Sequence, residues 1–431
     1  MEERQLRRMG GVLAARLPEL DLDAVADPRA RQGRWSLAQI LRATLMGILA
    51  GCHSLWETEQ LTERLSTPMR RQLGLPRRVP DTSARDTLCR VSLDEIRGRL
   101  QQLVSTARRR KALKPVGLPF GVVAMDGKVT ALPCLNQQFV QNQHPKEGVP
   151  YGLVRTVTAA LVSAQGRPCI DAIPIPEDTN EMGHFQAALS SLVENYGSLF
   201  EVVSYDTGAA SRANADAVVN VDKEYLLALN DERRTMWRLA NELLATEPVV
   251  ARTEDVLDNN TTVIRSLRML AANPSWSYGN GKGPDESIWP HARTFLRVES
   301  VKVRYGVVIE RDDRMFVSSL NPKRLTAAQW LLIARRHWAV EDENHNTFDT
   351  VFKEDDRPWI EADANGMLVV LLLRRIAYTM LALFRSVTLR SEKNRAMRWK
   401  DLLAWVRDTL VGATASSLAG LRPREVVAAT L

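Results

Sequence analysis

The chain has 431 residues, more than a single hydrophobic core usually serves, so two or three domains are expected. Its four cysteines, Cys52, Cys89, Cys134 and Cys169, lie far apart with no C-x-x-C pair, which excludes a zinc ribbon or disulfide scaffold and reads as buried, reduced thiols. The formal charge is +7, but residues 1–115 hold 22 Lys and Arg against 13 Asp and Glu, while the remainder holds 36 against 38. The basic excess thus lies wholly in the first quarter, where Arg70, Arg71, Arg77, Arg78 and the run from Arg108 to Lys111 would neutralise phosphates. The N-terminus is charged and the most apolar stretch, Gly366 to Phe384, is interrupted by Arg374 and Arg375, so no membrane is implied.

Residues 1–115 read as a helical, basic domain. Ser36 and Gln39 form a capping-box pattern ahead of the apolar stripe Leu37, Ile40, Leu41, Leu45, Ile48 and Leu49. Ser92 and Glu95 repeat it before Ile96, Leu100, Leu103 and Val104, and Lys114-Pro115 reads as a linker.

Past Pro119 the texture changes to short β-branched runs. Gly121 to Met125 is a strand ending on Asp126, followed by strands at Val154–Ser163 and Cys169–Ile175. Asp178-Thr179-Asn180-Glu181 offers a cap for a helix to about Tyr196. Glu201–Tyr205 is a fourth strand, ending on Asp206, and a short helix leads to a fifth, Tyr225–Leu229. Residues 231–314 read as an insertion with a helix from Arg234 to Ala245 and strand-like runs at Thr261–Ile264, Thr294–Val298 and Val301–Ile309. Its loop Gly279 to Gly283 has no phosphate-cradle spacing and reads as a turn. A strand at Met315–Leu320 and a long helix from Thr326 through Glu341 follow. A very apolar helix covers Glu361–Leu389, and a helical tail occupies 391–431. The fold class is α/β, with a catalytic domain of residues 116–230 and 315–390.

An acid at the end of a buried strand is costly unless something binds it. If the first and fourth strands are parallel neighbours, Asp126 and Asp206 emerge side by side. An acid on a helix packed across that edge would complete an oxygen-rich pocket suited to Mg²⁺ or Mn²⁺. Glu341 is the choice for that third acid and Glu343 its rival, because helical geometry turns the two about 200° apart. The later acids Asp349, Glu354, Asp355 and Asp356 read as capping or surface groups, and His337 and His345 as helix-face hydrogen bonders.

These residues resemble a family. His337-Trp338-Ala339-Val340-Glu341 followed by His345, Asp349, Phe352, Glu354 and Asp355 is similar to the signature block of insertion-sequence transposases with an Asp-Asp-Glu (DDE) triad, in particular the H-repeat-associated branch. Asp126-Gly127-Lys128, Thr179-Asn180-Glu181, Val203-Ser204-Tyr205-Asp206, the stretch from Asp27-Pro28-Arg29 to Gly51, and Leu73-Gly74-Leu75 resemble further elements of it. The resemblance implies a ribonuclease H-like core with a β-rich insertion, of the retroviral integrase superfamily. It also implies two divalent ions on Asp126, Asp206 and Glu341. The activity implied is hydrolysis at transposon ends followed by strand transfer into target DNA, by a homodimer on terminal inverted repeats in a prokaryotic, nucleoid-associated setting. DNA contacts are expected from Lys128, Arg335, Arg336, His337 and the N-terminal arginines; Trp276 and Trp289 are candidates to hold a flipped base, with core packing the favoured role of either. The chain departs from the family at Val129-Thr130-Ala131, Asp342 and Asn346.

Overall fold

The computed structural model describes residues 3–31, 33–229, 235–257, 260–273, 275–278, 286–289, 291–389 and 391–420. The loop at Gly279–Gly283 and the last eleven residues of the tail lie outside them.

The N-terminal part is helical: α1 (Glu3–Arg16), α2 (Leu37–Leu49), α3 (Leu55–Arg64), α4 (Thr67–Leu73), α5 (Asp81–Leu88) and α6 (Leu93–Arg109). The Ser36–Gln39 capping box forms in both directions. The second box forms only by half. The Ser92 side chain accepts from the Glu95 amide, whereas the Glu95 carboxylate turns away to accept from the amide of Ala26 at 3.2 Å. A distant backbone donor has outcompeted the local one.

Ten strands build one mixed sheet: β1 (Val122–Leu132), β2 (Val140–Gln143), β3 (Tyr151–Ala160), β4 (Cys169–Pro174), β5 (Val202–Tyr205), β6 (Glu224–Leu229), β7 (Val249–Leu257), β8 (Thr261–Ala271), and, beyond a two-stranded ribbon β9 (Ser277–Tyr278) and β10 (Glu286–Ser287), β11 (Thr294–Arg304) and β12 (Val307–Ser318). Their order is β2-β3-β1-β5-β6-β12-β11-β8-β7, with β4 on the same edge of β3 as β2. β1, β5 and β6 are parallel and the other pairings antiparallel. The first and fourth expected strands are therefore parallel neighbours. The runs at Thr294–Val298, Val301–Ile309 and Met315–Leu320, read from sequence as separate strands, are two long arms of one hairpin. The arms turn at Tyr305 (φ 50°) and Gly306 (φ 79°), the paired positive φ of a tight hairpin. The polar run Glu310–Arg314 hid this continuity, since an arm wet on both faces has no apolar alternation to read.

Side chains alternate across the sheet into two cores. Val122, Ala124, Val202, Leu226, Leu267, Leu296 and Phe316 pack on one face with Trp330, Leu331 and Ile333 of α10 (Ala327–His337). Val123, Met125, Val203, Tyr205 and Leu227 face the other way, toward α7 (Glu181–Tyr196) and α8 (Arg212–Asn220). That second core continues through α12 (Ala364–Leu383) into the N-terminal helices. α9 (Thr235–Ala245) lies on the inserted strands, and α11 (Asn346–Thr350), α13 (Glu392–Arg395) and α14 (Trp399–Gly412) complete the helices among the described residues.

By length and composition the stretch from Ala364 to Thr388 could cross a membrane, yet its apolar window is wholly buried inside the protein. α12 packs against α2 and α6. Its two arginines explain themselves in the fold: Arg375 forms a bidentate pair with Glu354 at 2.6 and 2.8 Å, Arg374 stands 3.9 Å from the same carboxylate, and all three are essentially unexposed. Cys52, Cys134 and Cys169 are buried free thiols.

Candidate active site

Asp126 does not end its strand. β1 runs on to Leu132 against β3, while its parallel pairing with β5 stops at Ala124 opposite Ser204. The sheet thus splits just before Asp126, and the alternation of β1 puts its side chain on the α10 face with Val122 and Ala124. The expectation of a strand terminus was wrong about this strand and right about its neighbour: β5 ends at Tyr205, and Asp206 caps the short turn after it by accepting from the Gly208 amide at 2.9 Å.

Glu341 lies in neither a regular α-helix nor a loop. α10 ends at His337, and Val340–His345 forms a π-helical turn in which the amide of Asn346 reaches the carbonyl of Glu341. Such turns are rare and concentrate at functional sites. The expectation of an uninterrupted helix through Glu341 fails because Asn344, fully buried, donates its side-chain amide to Ala339 O and Arg167 O and draws the chain inward. Glu343 pairs with Arg167 on the far side.

Asp126, Asp206 and Glu341 line one cavity of about 850 Å³, and Glu343 does not. Burial and then the neighbouring charge of Asp126 hold the Asp206 carboxyl above its ordinary range, with Glu341 adding to the effect. Among the described residues neither Asp206 nor Glu341 has an ion-pair partner, whereas His345 Nδ1 stands 3.1 Å from an Asp126 carboxylate oxygen. No three His, Cys, Asp or Glu side chains among the described residues gather into a set able to hold a single ion. The donor chemistry nevertheless suits a hard divalent cation: carboxylate oxygens that repel one another around a polar cavity.

Four further acids line the same cavity, Glu181, Asp342, Asp349 and Asp355. Glu181, at the first position of α7, lays its carboxylate against Gly127, where a Cβ would stand 2.1 Å from it. Burial, and after it Asp126 and Asp206, raise this carboxyl too, against Arg155, 3.7 Å away, which lowers it. In the sequence Glu181 read as part of a helix cap, a role that Asn180 fills, and as part of the Thr179-Asn180-Glu181 resemblance, but not as a residue of the site. The Gly at 127, directly after an acid and in mid-strand, was the available signal, since a strand interior keeps a glycine where something approaches closely.

His337 is buried, and its Nδ1 lies 2.6 Å from Ser204 Oγ. Because Ser204 gives its one proton to Leu226 O, it accepts from His337 Nδ1–H, leaving Nε2 unprotonated. Burial pulls this imidazole down to about 4, so it is neutral at physiological pH.

The expected DNA contacts scatter. Lys128 is buried and held by Asp349 at 2.6 Å and Asp355 at 2.9 Å, so it is a strut between β1 and the segment after α11 rather than a free cation. Asp349 and Asp355 are correspondingly not idle surface acids, and Glu354 is fully buried. Arg335 and Arg336 line a second cavity adjoining the first. Trp276 is half-buried 6.4 Å from the Phe295 ring and Trp289 is buried against Tyr225; neither lines the acid cavity. Arg70, Arg77 and Arg78 share a separate surface hollow with Trp35, and Arg71 beside them is exposed.

No protein-family model matches the chain, and neither does any curated protein. Among solved structures it is similar to a piggyBac transposase synaptic complex with hairpin DNA, seen by cryo-EM. The TM-score is 0.40 and the identity 11%, over 98% of this chain and 84% of that one. At that distance the likeness identifies neither fold nor function.

Proposed function

We propose that the chain is a metal-dependent DNA transposase of the Asp-Asp-Glu type, built on a ribonuclease H-like core with a β-rich insertion. The observation behind this reading is that Asp126, Asp206 and Glu341, up to 215 positions apart in sequence, line one cavity beside the split between β1 and β5. Asp126, Asp206 and Glu341 would hold Mg²⁺ or Mn²⁺, whose chemistry when bound is to activate the attacking oxygen and stabilise the leaving one. The protein's own part is positioning. His345 fixes the Asp126 carboxylate, the Gly208 amide fixes that of Asp206, and the π turn delivers Glu341. The substrate in this reading is duplex DNA with terminal inverted repeats. Water cuts the phosphodiester at the element's end, and the freed 3′-hydroxyl attacks target DNA, with a homodimer holding two ends. The basic residues of 1–115 supply phosphate contacts.

The loose spacing of the acids favours a second reading, a DNA-binding protein of transposase descent that no longer cuts. One assay separates the two: the intact chain, Mg²⁺ or Mn²⁺, and labelled duplex carrying the repeats that flank its gene. Strand cleavage lost in Asp206→Asn supports the enzyme. Cleavage that survives Asp206→Ala sinks the site, and tight binding with no cut supports the silent binder.

A further inference from the structure

β7 is the last strand on its side of the sheet, and only β8 pairs with it. Among the described residues no backbone group of Val249–Leu257 forms a hydrogen bond outside that pairing, so a row of N–H and C=O groups stays open along the outer edge. A bulge between Val249 and Ala251 is confined to one end, and the pairing is regular from Ala251 to Leu257. Large apolar side chains stand exposed at both ends of this edge: Val249 and Val250 at one, Val256 and Leu257 at the other, with Val256 78% exposed.

The two faces of β7 differ. Ala251 packs into the core under α10, and Asp255 holds Arg265 of β8 and Arg335 of α10 at 2.5 and 2.8 Å. On the other face Arg252 and Glu254 are exposed, and among the described residues neither has an ion-pair partner. Charges on an edge strand normally keep other strands away. These two are of opposite sign and stand one residue to either side of Thr253, so the strand is complementary to its own reverse. Laid antiparallel on a second copy about Thr253, each Arg252 faces a Glu254, and the two valines of one end meet Val256 and Leu257 of the other. Opposite charges directly across a strand pair stabilise it and like charges repel. A parallel copy in register would set Arg on Arg and Glu on Glu.

We infer that β7 is a self-association edge, through which two copies of this chain pair antiparallel about a two-fold axis at Thr253 and join their sheets into one. Main-chain hydrogen bonds supply the attraction and the side-chain pattern selects a second copy as the partner. The contact is isologous, so it closes at two copies. The axis of an antiparallel strand pair stands perpendicular to the sheet. Both copies therefore present α10, and with it the acid cavity that His337 lines, on the same side of the joined sheet. That placement suits an enzyme holding two DNA ends, yet the pairing itself rests on neither DNA nor metal.

The test is sedimentation velocity on the full chain without DNA or divalent metal, so its outcome is independent of the transposase reading. The native chain is expected to be a dimer in the micromolar range. Arg252→Glu and Glu254→Arg each replace two attractive cross-strand pairs by two repulsive ones, and each should weaken the dimer roughly tenfold or more. Combining Arg252→Glu with Glu254→Arg restores the complementarity and should regain most of the affinity, which damage to the fold would not do. Single variants as dimeric as the native chain place the contact elsewhere and refute the inference, as does a double variant no tighter than either single one. A monomeric native chain refutes it too; if the outward amides of β7 are then protected from hydrogen exchange, another segment of the same chain covers the edge.

Discussion

Glu354→Gln should cost more than any surface change in this protein, and the reason lies in α12. Glu354 is fully buried and faces two arginines that are also buried, Arg375 in a bidentate pair and Arg374 at 3.9 Å. Burial alone would raise its carboxyl, but the two guanidinium groups outweigh that and hold it below its ordinary range. Glutamine keeps the shape and removes the charge, leaving two cations in a dry interior with no counter-charge. Breaking a buried pair in this way costs about 3–5 kcal/mol. Unfolding entropy of about 2.1 cal/mol/K per residue over 431 residues gives roughly 0.9 kcal/mol/K, so the melting temperature should fall by about 3–6 °C if the chain melts as one unit. Arg375→Met should cost less, because Glu354 keeps Arg374 as its partner. A double-mutant cycle on Glu354→Gln and Arg375→Met, read by denaturant unfolding, should give a coupling above about 1 kcal/mol. A coupling near zero, or an Arg375→Met loss larger than that of Glu354→Gln, would refute the argument. The depressed carboxyl also sets a sign: its stabilisation is present above the unfolded carboxylate pKa and is lost as pH falls through the lower folded value.

Other expectations can be read from the same contacts. His337→Phe should flatten the pH dependence of stability between about 6.5 and 4. Over that window the native imidazole stays neutral while the unfolded one binds a proton, so stability rises with pH by up to about 1.4 kcal/mol per unit; an unchanged slope in urea titrations would contradict this. Asp206→Asn should abolish cleavage yet stabilise the fold near neutrality, since burial and Asp126 both disfavour the ionised carboxyl, and the gain should shrink as pH falls and the native Asp206 takes up its proton. Gly127→Ala should displace the Glu181 carboxylate and cut activity sharply, and pairing it with Glu181→Ala should restore stability, measured by melting, without restoring native activity. Lys128→Met should destabilise and slow cleavage while leaving the salt slope of DNA binding intact, because Lys128 faces Asp349 and Asp355; a lowered slope would return it to the DNA.

The sequence made the local grammar legible. The Ser36 capping box, the helix start at Thr326, the apolar runs of β1, β5 and β6, and the cap at Asn180 are set by neighbours within four residues, and they form as read. The α/β class follows from those runs, whereas the parallel adjacency of β1 and β5 is only a supposition in the sequence, since α7 leads from β4 to a strand that pairs with β1. What could not be read depends on partners far along the chain. Glu95 abandons its box for Ala26, 69 residues away. Lys128 finds Asp349, 221 residues away, instead of standing free. Glu354 resembles a surface acid until α12 brings Arg374 and Arg375 against it. Glu181 was hidden for a different reason, since its cap position already explained it and no periodicity marks an acid that leans on a glycine in another strand.

The π turn at Val340–His345 ties these distant partners to the site. A regular helix would present one face of residues 341–345 to the sheet, so Glu341 and His345, four apart, could reach the cavity only if Asn344 and Glu343 pointed elsewhere. The wider turn meets several demands together: Glu341 lines the cavity, His345 reaches Asp126, Asn344 is buried on Ala339 and Arg167 carbonyls, and Glu343 pairs with Arg167. Such a turn is rare in proteins, and here side-chain tethers hold it on several sides. Beyond it, Phe348 packs under Arg375 at 3.6 Å and Asp349 holds Lys128, which fixes the far end of the segment to α12 and β1 at once. The three acids therefore owe their arrangement partly to residues outside the cavity, Asn344, Phe348 and Arg375, and partly to Lys128, His345 and Asp349 on its lining. Substitutions at Glu354 or Lys128 should consequently loosen Glu341 relative to Asp126 before they unfold the chain.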